Sequence, residues 1–210
     1  VDIAAARARE WYDRDDVQMI IESTDSAAAL ALQRLGVEKK RITLFAGSAS
    51  SALTNAECSP YGVHYVYDTY ALSHGTGLAV TKAGGDSWFF ITADYAFGHA
   101  LEKDTAEVVT QNGGKVLGQV RAPLNTPDFS SFLLQAQASK AKVVGLANAG
   151  TDTQNSVRQA NEFGITQGGQ KLATLLVFLH DIKGLGLQAA QGLQFTDGFY
   201  WDYNDETRAF

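Results

Sequence analysis

The sequence predicts an α/β protein built on parallel sheets. Short apolar runs alternate along the chain with helical patterns of about a dozen residues, which is typical of strands joined by right-handed crossover helices. The run Trp88–Ile91 is apolar at every position, which indicates a strand that is covered on both faces. No segment of about 20–50 residues repeats, so a solenoid is excluded.

Length and composition narrow the class of protein. The 210 residues are enough for one large domain or two small α/β lobes. The net charge is −6 and the sequence contains no block of like charges, so we expect no nucleic-acid partner. No apolar segment approaches the roughly 20 residues of a membrane span. The single cysteine, Cys58, excludes an intrachain disulfide and is interpreted as an incidental loop thiol.

The chain opens with a helical pattern over Val1–Arg14, in which the apolar side chains recur at helical spacing. Val17–Glu22 then reads as a buried strand. A helix rich in Ala and Leu follows it to about Leu35, and Thr24 or Ser26 is the expected N-cap because a hydroxyl can accept from the first turn.

The middle of the chain continues the alternation. Ile42–Ala46 is predicted as a strand, and His64–Tyr70 as a short extended piece. We expect a helix over Thr69–Lys82, bounded by two glycines. The central strand follows at Ser87–Thr92.

The remaining elements follow the same pattern. A helix is predicted over about Gly98–Asn112, and the pair Gly113-Gly114 after it supplies the left-handed residue that ends many helices. Two further helices are expected, over Phe129–Ser139 and up to Phe163. The last predicted strands are Lys115–Arg121, Lys142–Ala147, Lys171–Leu179 and Gly192–Tyr203.

Polar and aromatic residues gather where the predicted strands end. In an open parallel sheet the ligand crevice lies beyond the carboxyl ends of the strands. Asp94, Tyr95 and Phe97 follow the central strand, so we expect them beside a ligand. Small hydroxyl residues follow the first two strands, as in Gly47–Ser51, and can serve either as helix caps or as ligand contacts.

Signatures of catalysis, cofactors and metals are weak or missing in the sequence. The Gly-x-Gly matches at Gly75 and Gly184 lack the rest of the dinucleotide fingerprint, and there is no Walker lysine or Gly-x-Ser-x-Gly motif. The four histidines lack metal-ligand spacing. We therefore expect no cofactor, no metal and no catalytic residue. His180-Asp181 near Asp94 would reopen an enzymatic interpretation if all three met in one cleft.

Four segments resemble one known family, the substrate-binding proteins of ABC transporters of the branched-chain amino acid (Leu/Ile/Val-binding) class. Each segment is weak alone, but together they are specific, and the resemblance extends over essentially the whole chain. The segments are TADYAFGHALEKD (Thr92–Asp104), PLNTPDFSSFLLQAQASKA (Pro123–Ala141), VVGLANAGTDTQNSVRQANEFGI (Val143–Ile165) and GLQFTDGFYWDYNDETRAF (Gly192–Phe210).

The resemblance implies the type I periplasmic binding protein fold, in which two lobes with Rossmann-like parallel sheets close on a ligand. Family members are longer at both ends, so the chain is expected to be a central piece with an incomplete lobe one. The implied divisions are residues 1–68 for part of lobe one, 69–198 for lobe two and 199–210 for a crossover back toward lobe one.

The resemblance also implies site residues. In lobe one the family's ligand contacts fall on Ser26, Gly47, Ser48 and Ala49, and in lobe two on Phe97 and Ala149. Ala49 stands where the family often has Thr, and Phe97 and Ala149 stand where it often has Tyr or another aromatic. The acid that meets a ligand ammonium group falls on Asp68, and the second such acid has His180 or Asp181 as its nearest candidate.

The implied function is extracytoplasmic binding of a small ligand. The ligand is expected to be an amino acid, an amide or an aromatic carboxylate, delivered to an ABC permease in the membrane, and no reaction is expected. The family implies a periplasmic location and a signal peptide in the precursor. The alternative is a ligand-sensing regulatory domain of the same fold, in which closure is passed to a signalling partner.

Overall fold

The computed structural model describes residues 1–22 and 25–210 and contains two parallel sheets. The first sheet has strand order β1-β2-β3 and the second has order β5-β4-β6-β7, with every pairing parallel. This confirms the predicted α/β class. The strands are β1 Met19–Glu22, β2 Ile42–Phe45, β3 Gly62–His64, β4 Ser87–Ala93, β5 Lys115–Ala122, β6 Val143–Ala147 and β7 Lys171–Thr174.

Helices precede or follow nearly every strand, as crossover connections require. The helices are α1 Asp2–Asp13, α2 Ser26–Lys39, α3 Thr69–Leu72, α4 Leu78–Lys82, α5 Ala96–Gln111, α6 Ser130–Ala138, α7 Gly150–Glu162, α8 Leu179–Leu185 and α9 Asp205–Ala209. A π-helical turn, Ser73–Gly77, joins α3 to α4, so the predicted helix over Thr69–Lys82 is one helical segment with a widened middle.

The four-stranded sheet is covered on both faces. Phe89 and Ile91 of β4 point to one face and pack with residues of α6 and α7. Trp88 and Phe90 point to the other face and pack with residues of α5 and of the helical segment before β4. Alternate side chains of one strand therefore enter two separate cores, which explains why this strand is apolar at every position.

The three-stranded sheet is covered on one face. Ile20 of β1 packs with Ala8 and Tyr12 of α1 and with leucines of α2. Phe45 of β2 packs with Ala29 of α2 and a leucine that follows the strand. On the opposite face, Met19, Ile21 and Ile42 are exposed and Leu44 is partly buried.

The two sheets are joined near residues 65–69 by a short connection and a shared hydrogen-bond cluster. Asp104 on α5 accepts hydrogen bonds through Oδ2 from Ser51 Oγ (2.8 Å) and Thr69 Oγ1 (2.6 Å). Ser51 lies between β2 and β3 of the first sheet and Thr69 begins α3, so one carboxylate of α5 links the two halves of the chain.

Two strand predictions are wrong. The strand expected over Lys171–Leu179 ends at Thr174, and Leu179 begins α8 instead. The strand expected over Gly192–Tyr203 is irregular: it forms a single bridge, between Gln194 and Ala173, beside the edge strand β7. The aromatic residues of 195–203 favour a strand in sequence, but they are largely exposed and no described strand lies next to them.

Candidate functional site

A cavity of about 170 Å³ lies between the two sheets, beyond the carboxyl ends of their strands. Its wall contains residues from both halves of the chain, which is the position that the strand-end argument predicts. The wall is formed by Asp25, Ser26, Gly47, Ser48, Ala49, Tyr67, Tyr95, Phe97, Ala149, Leu176 and Phe178.

Three helices begin at this cavity because each follows a strand that ends there. The N-caps of α2, α5 and α7 are Asp25, Tyr95 and Ala149, and all three lie on the wall. Asp25 Oδ1 accepts from the backbone N–H groups of Ala27 (2.8 Å) and Ala28 (2.9 Å). Tyr95 and Ala149 make no side-chain cap.

The N-cap of α2 is a correction to the sequence prediction. Ser26 is the first helical residue, and its Oγ accepts instead from the backbone N–H of Ser50 (3.1 Å). Asp25 takes the cap because a carboxylate oxygen reaches two N–H groups at once. The other expected cap, Thr24, lies outside the described residues.

Buried hydrogen bonds hold the turn after β2 against β1. Ser48 Oγ donates to Glu22 Oε2 at 2.7 Å, and both side chains are 2% exposed. His64 Nε2 lies 2.7 Å from the Ser48 carbonyl oxygen. Ser26 and Ser48 are thus hydrogen-bonded within the protein, and they position the turn Gly47–Ala49 on the cavity wall.

The opposite part of the wall is aromatic. The ring centroids of Tyr67 and Phe178 are 5.6 Å apart, and those of Tyr95 and Phe97 are 5.8 Å apart. Burial raises the pKa of Tyr67 to about 12, and burial together with the nearby carboxylates of Asp25 and Asp152 raises the pKa of Tyr95. Both phenols are therefore neutral at physiological pH, and the wall offers ring faces to a ligand.

Gly98 lets α5 begin close to the ends of β4 and β6. A Cβ at this position would lie 2.1 Å from the Ala93 carbonyl oxygen and 3.1 Å from that of Ala147. Any larger residue would push the first turn of α5 outward, and Tyr95 and Phe97 would move with it.

Seven of the ten residues predicted for the site lie together on the cavity wall: Ser26, Gly47, Ser48, Ala49, Tyr95, Phe97 and Ala149. The other three do not. Asp68 caps α3 by accepting from the Ala71 N–H at 2.7 Å, and it borders a different surface hollow. The cation-binding role expected for Asp68 therefore finds no contact with this cavity.

His180 and Asp181 also lie off the wall, because the chain turns into α8 where a strand end was expected. Asp181 is buried and accepts hydrogen bonds from Phe178 N (3.0 Å) and Gln154 Nε2 (2.8 Å). The His180 ring stacks on that of Phe178, with its side chain 77% exposed. Both residues support the loop that carries Phe178.

Asp94, expected beside a ligand, points to the surface. Its Oδ1 lies 2.8 Å from His99 Nε2 and 3.7 Å from Arg121 Nη1. Asp94 and the pair His180-Asp181 do not share the cavity. The three residues therefore do not meet in one cleft, which was the condition for an enzymatic interpretation.

Four wall residues were missed by the sequence analysis: Asp25, Tyr67, Leu176 and Phe178. Asp25 directly precedes the predicted contact Ser26 and could have been found from its place after β1. Leu176 and Phe178 were assigned to the interior of a strand that ends earlier. Tyr67 lies in the connection between the sheets, where no periodicity marks the inward side.

No group of three His, Cys, Asp or Glu side chains over residues 1–22 and 25–210 could hold a metal ion. None of the described helices combines the length and the apolar character needed to cross a membrane.

The chain matches known proteins along its length. The family model described as "Periplasmic binding protein" matches residues 1–210. A periplasmic binding protein from Burkholderia mallei is 56% identical, with a TM-score of 0.95 over 99% of this chain and 55% of that one. A search of curated proteins finds no match.

Other solved structures extend the comparison. A branched-chain amino acid ABC transporter periplasmic ligand-binding protein from Burkholderia xenovorans is 35% identical, with a TM-score of 0.81 over 99% of this chain and 56% of that one. A solute-binding protein of an ABC transporter from Rhodopseudomonas palustris, in complex with 3,4-dihydroxybenzoic acid, is 26% identical, with a TM-score of 0.73 over 82% of this chain and 47% of that one.

The chain thus spans about half the length of these structures, with its two parallel sheets in their arrangement. The family match over all 210 residues and the 56% identity confirm the resemblance seen in the four sequence segments. The chain belongs to the periplasmic binding protein family.

Proposed function

We propose that this protein is an extracytoplasmic solute-binding protein that holds a small ligand between two lobes and delivers it to an ABC permease. Lobe one would extend to residue 68, lobe two over 69–198, and residues 199–210 would cross back toward lobe one. The observation that carries the proposal is the cavity between the sheets, whose wall contains residues from both halves.

The expected ligand is an amino acid or a related carboxylate or amide of about one ring or one branched chain in size. The cavity of about 170 Å³ is smaller than the roughly 300–1,000 Å³ typical of drug-sized ligands. The Rhodopseudomonas palustris relative in complex with 3,4-dihydroxybenzoic acid supports a small aromatic acid, and the Burkholderia xenovorans relative supports an amino acid.

Ligand binding would be accompanied by closure of the two lobes, and no chemical reaction would take place. Contacts from both halves exist together only when the lobes are near one another, so a ligand that makes both sets of contacts favours the closed form. The permease would then recognise that form from the periplasm.

A thermal-shift titration of the full-length protein with amino acids, amides and aromatic carboxylates tests this proposal. A ligand at 100 times its dissociation constant stabilises the folded state by about 2.7 kcal/mol, which gives a readily measured rise in melting temperature. Ala149→Trp is expected to abolish that rise, because it fills the cavity from the start of α7.

The matched control is Ala138→Trp, at the exposed end of α6, which should keep the full shift. A folded protein that responds to none of these compounds would contradict the proposal. Equal shifts in the two tryptophan variants would move the ligand to another part of the molecule.

A further inference from the structure

Asp25 is the one ionised side chain that the described residues contribute to the cavity wall. The other wall residues that the structure describes are serine, glycine, alanine, leucine, tyrosine and phenylalanine, and none of these carries a positive charge. The Asp25 carboxylate is half-buried beside this small space, and no basic side chain among the described wall residues balances it.

Helix capping uses only one oxygen of this carboxylate. Both capping hydrogen bonds, from Ala27 and Ala28, go to Oδ1. No hydrogen bond from the described residues reaches Oδ2. An ionised carboxylate has about four acceptor sites, so Asp25 keeps acceptor capacity after it has capped α2.

The other charges close to the aromatic wall have the same sign. Carboxylates of Asp25 and Asp152 act on the Tyr95 phenol, and that of Asp197 acts on the Tyr67 phenol. Glu22 lies behind Ser48, hydrogen-bonded to it. A ligand group with a hydrogen to donate is attracted to this end of the cavity, and a ligand carboxylate placed there would be repelled.

We propose that Asp25 is a specificity-determining residue, whose Oδ2 accepts a hydrogen bond from an ammonium or hydroxyl group of the ligand. The inference rests on the proposed function and deepens it. The ligand's donor end faces the three-stranded half, and its apolar body lies against the rings of Tyr67 and Phe178. A ligand of the same shape without the donor binds more weakly.

Asp25→Asn separates ligand recognition from capping. Asn is about as good an N-cap as Asp, so the variant should keep α2 while losing the charge. The matched control is Asp68→Asn, because Asp68 caps α3 in the same way but lies off the cavity wall. Asp68 is also the acid that the family resemblance assigns to a ligand ammonium group, so the pair tests one assignment against the other.

The experiment is isothermal titration of the full-length wild type and both variants with two matched pairs of probes. L-leucine and 4-methylpentanoate differ in the ammonium group, and 4-hydroxybenzoate and benzoate differ in the hydroxyl group. In at least one pair, the donor-bearing probe should bind the wild type about 10- to 150-fold more tightly, as expected for a hydrogen bond to a charged group. A preference for L-leucine over 4-methylpentanoate would indicate an ammonium ligand, and a preference for 4-hydroxybenzoate over benzoate would indicate a hydroxyl ligand.

Asp25→Asn should remove most of that preference by weakening the donor-bearing probe alone, and Asp68→Asn should leave it intact. Equal affinities within both pairs in the wild type would overturn the assignment, as would a preference that survives in Asp25→Asn or disappears only in Asp68→Asn. An equal loss for both members of a pair would also overturn it, by showing a structural role. If no probe binds the wild type, the ligand classes of the proposed function fail together with this assignment.

Discussion

The two sheets have similar strands but very different surroundings. In the four-stranded sheet, β6 buries every residue and β4 all but its first. In the three-stranded sheet, β1 alternates exposed and buried residues, and Met19 and Ile21 are 48% and 60% exposed. Much of the hydrophobic stabilisation of this chain must therefore come from the four-stranded half, because apolar side chains contribute in proportion to the area they remove from water.

The largest expected effect is a difference between a buried and an exposed substitution, one in each sheet of the 210-residue chain. Leu146→Ala in β6 should lower the free energy of unfolding by about 2–5 kcal/mol, because it leaves a cavity in a fully buried core. Ile21→Thr in β1 should change it by about 0.5 kcal/mol or less, since the side chain is exposed. Urea unfolding measures both values.

Ile20→Ala in β1 is the control for the three-stranded sheet, because Ile20 points to its covered face. It should cost clearly more than Ile21→Thr. If Ile21→Thr were as costly as Ile20→Ala, the two faces of this sheet would not differ, and the comparison between the halves would fail.

A smaller effect is expected from the carboxylate that ties the halves together. Asp104→Ala removes the acceptor for Ser51 and Thr69, so the free energy of unfolding should fall by about 1–3 kcal/mol. Asp104→Asn keeps an oxygen in place and should cost less. Equal losses in the two variants, measured by urea unfolding, would show that these hydrogen bonds do not set the stability of the junction.

The sequence predicts the strands of both sheets, but it predicts their burial better in the four-stranded sheet than in the three-stranded one. Strands such as β4 were found because a run that is apolar at every position indicates burial on both faces. The short run of β1 looks much the same in sequence, yet one of its faces is exposed. Local pattern reports which residues are apolar, and the elements that cover them come from elsewhere in the chain.

The candidate site shows the same limit. Strand-end reasoning and family resemblance together placed seven residues on the cavity wall, because parallel strands all end at one edge. Tyr67 and Phe178 were missed because both lie in irregular segments. In such segments neither the helical nor the strand periodicity of apolar residues identifies the side chains that point inward. Asp68 and Asp181 lie off this wall, since an acid near a strand end can also cap a helix and local sequence does not separate these roles.

The smallest effect concerns two acids of the four-stranded half with opposite environments. Asp152, in the first turn of α7, is buried, and its Oδ1 has no hydrogen-bond partner among the described residues. Burial raises its pKa above the ordinary value of 3.8. Asp128 is hydrogen-bonded to Ser130, which lowers its pKa below that value.

These shifts have opposite consequences for stability against pH. For Asp152 the folded state binds the proton more tightly, so its contribution to stability falls as pH rises from about 3.8 through the raised pKa. The melting temperature of Asp152→Asn should therefore rise relative to that of the wild type as pH increases across that window. For Asp128 the stabilisation is present above about pH 3.8 and is lost as pH falls through the lowered pKa. The melting temperature of Asp128→Asn should therefore lie below that of the wild type at neutral pH and approach it in acid. Melting temperatures of the three proteins, measured between pH 3 and 7, test both trends. If the melting temperatures of the wild type and Asp152→Asn changed with pH in parallel, the burial of Asp152 would not disturb its ionisation.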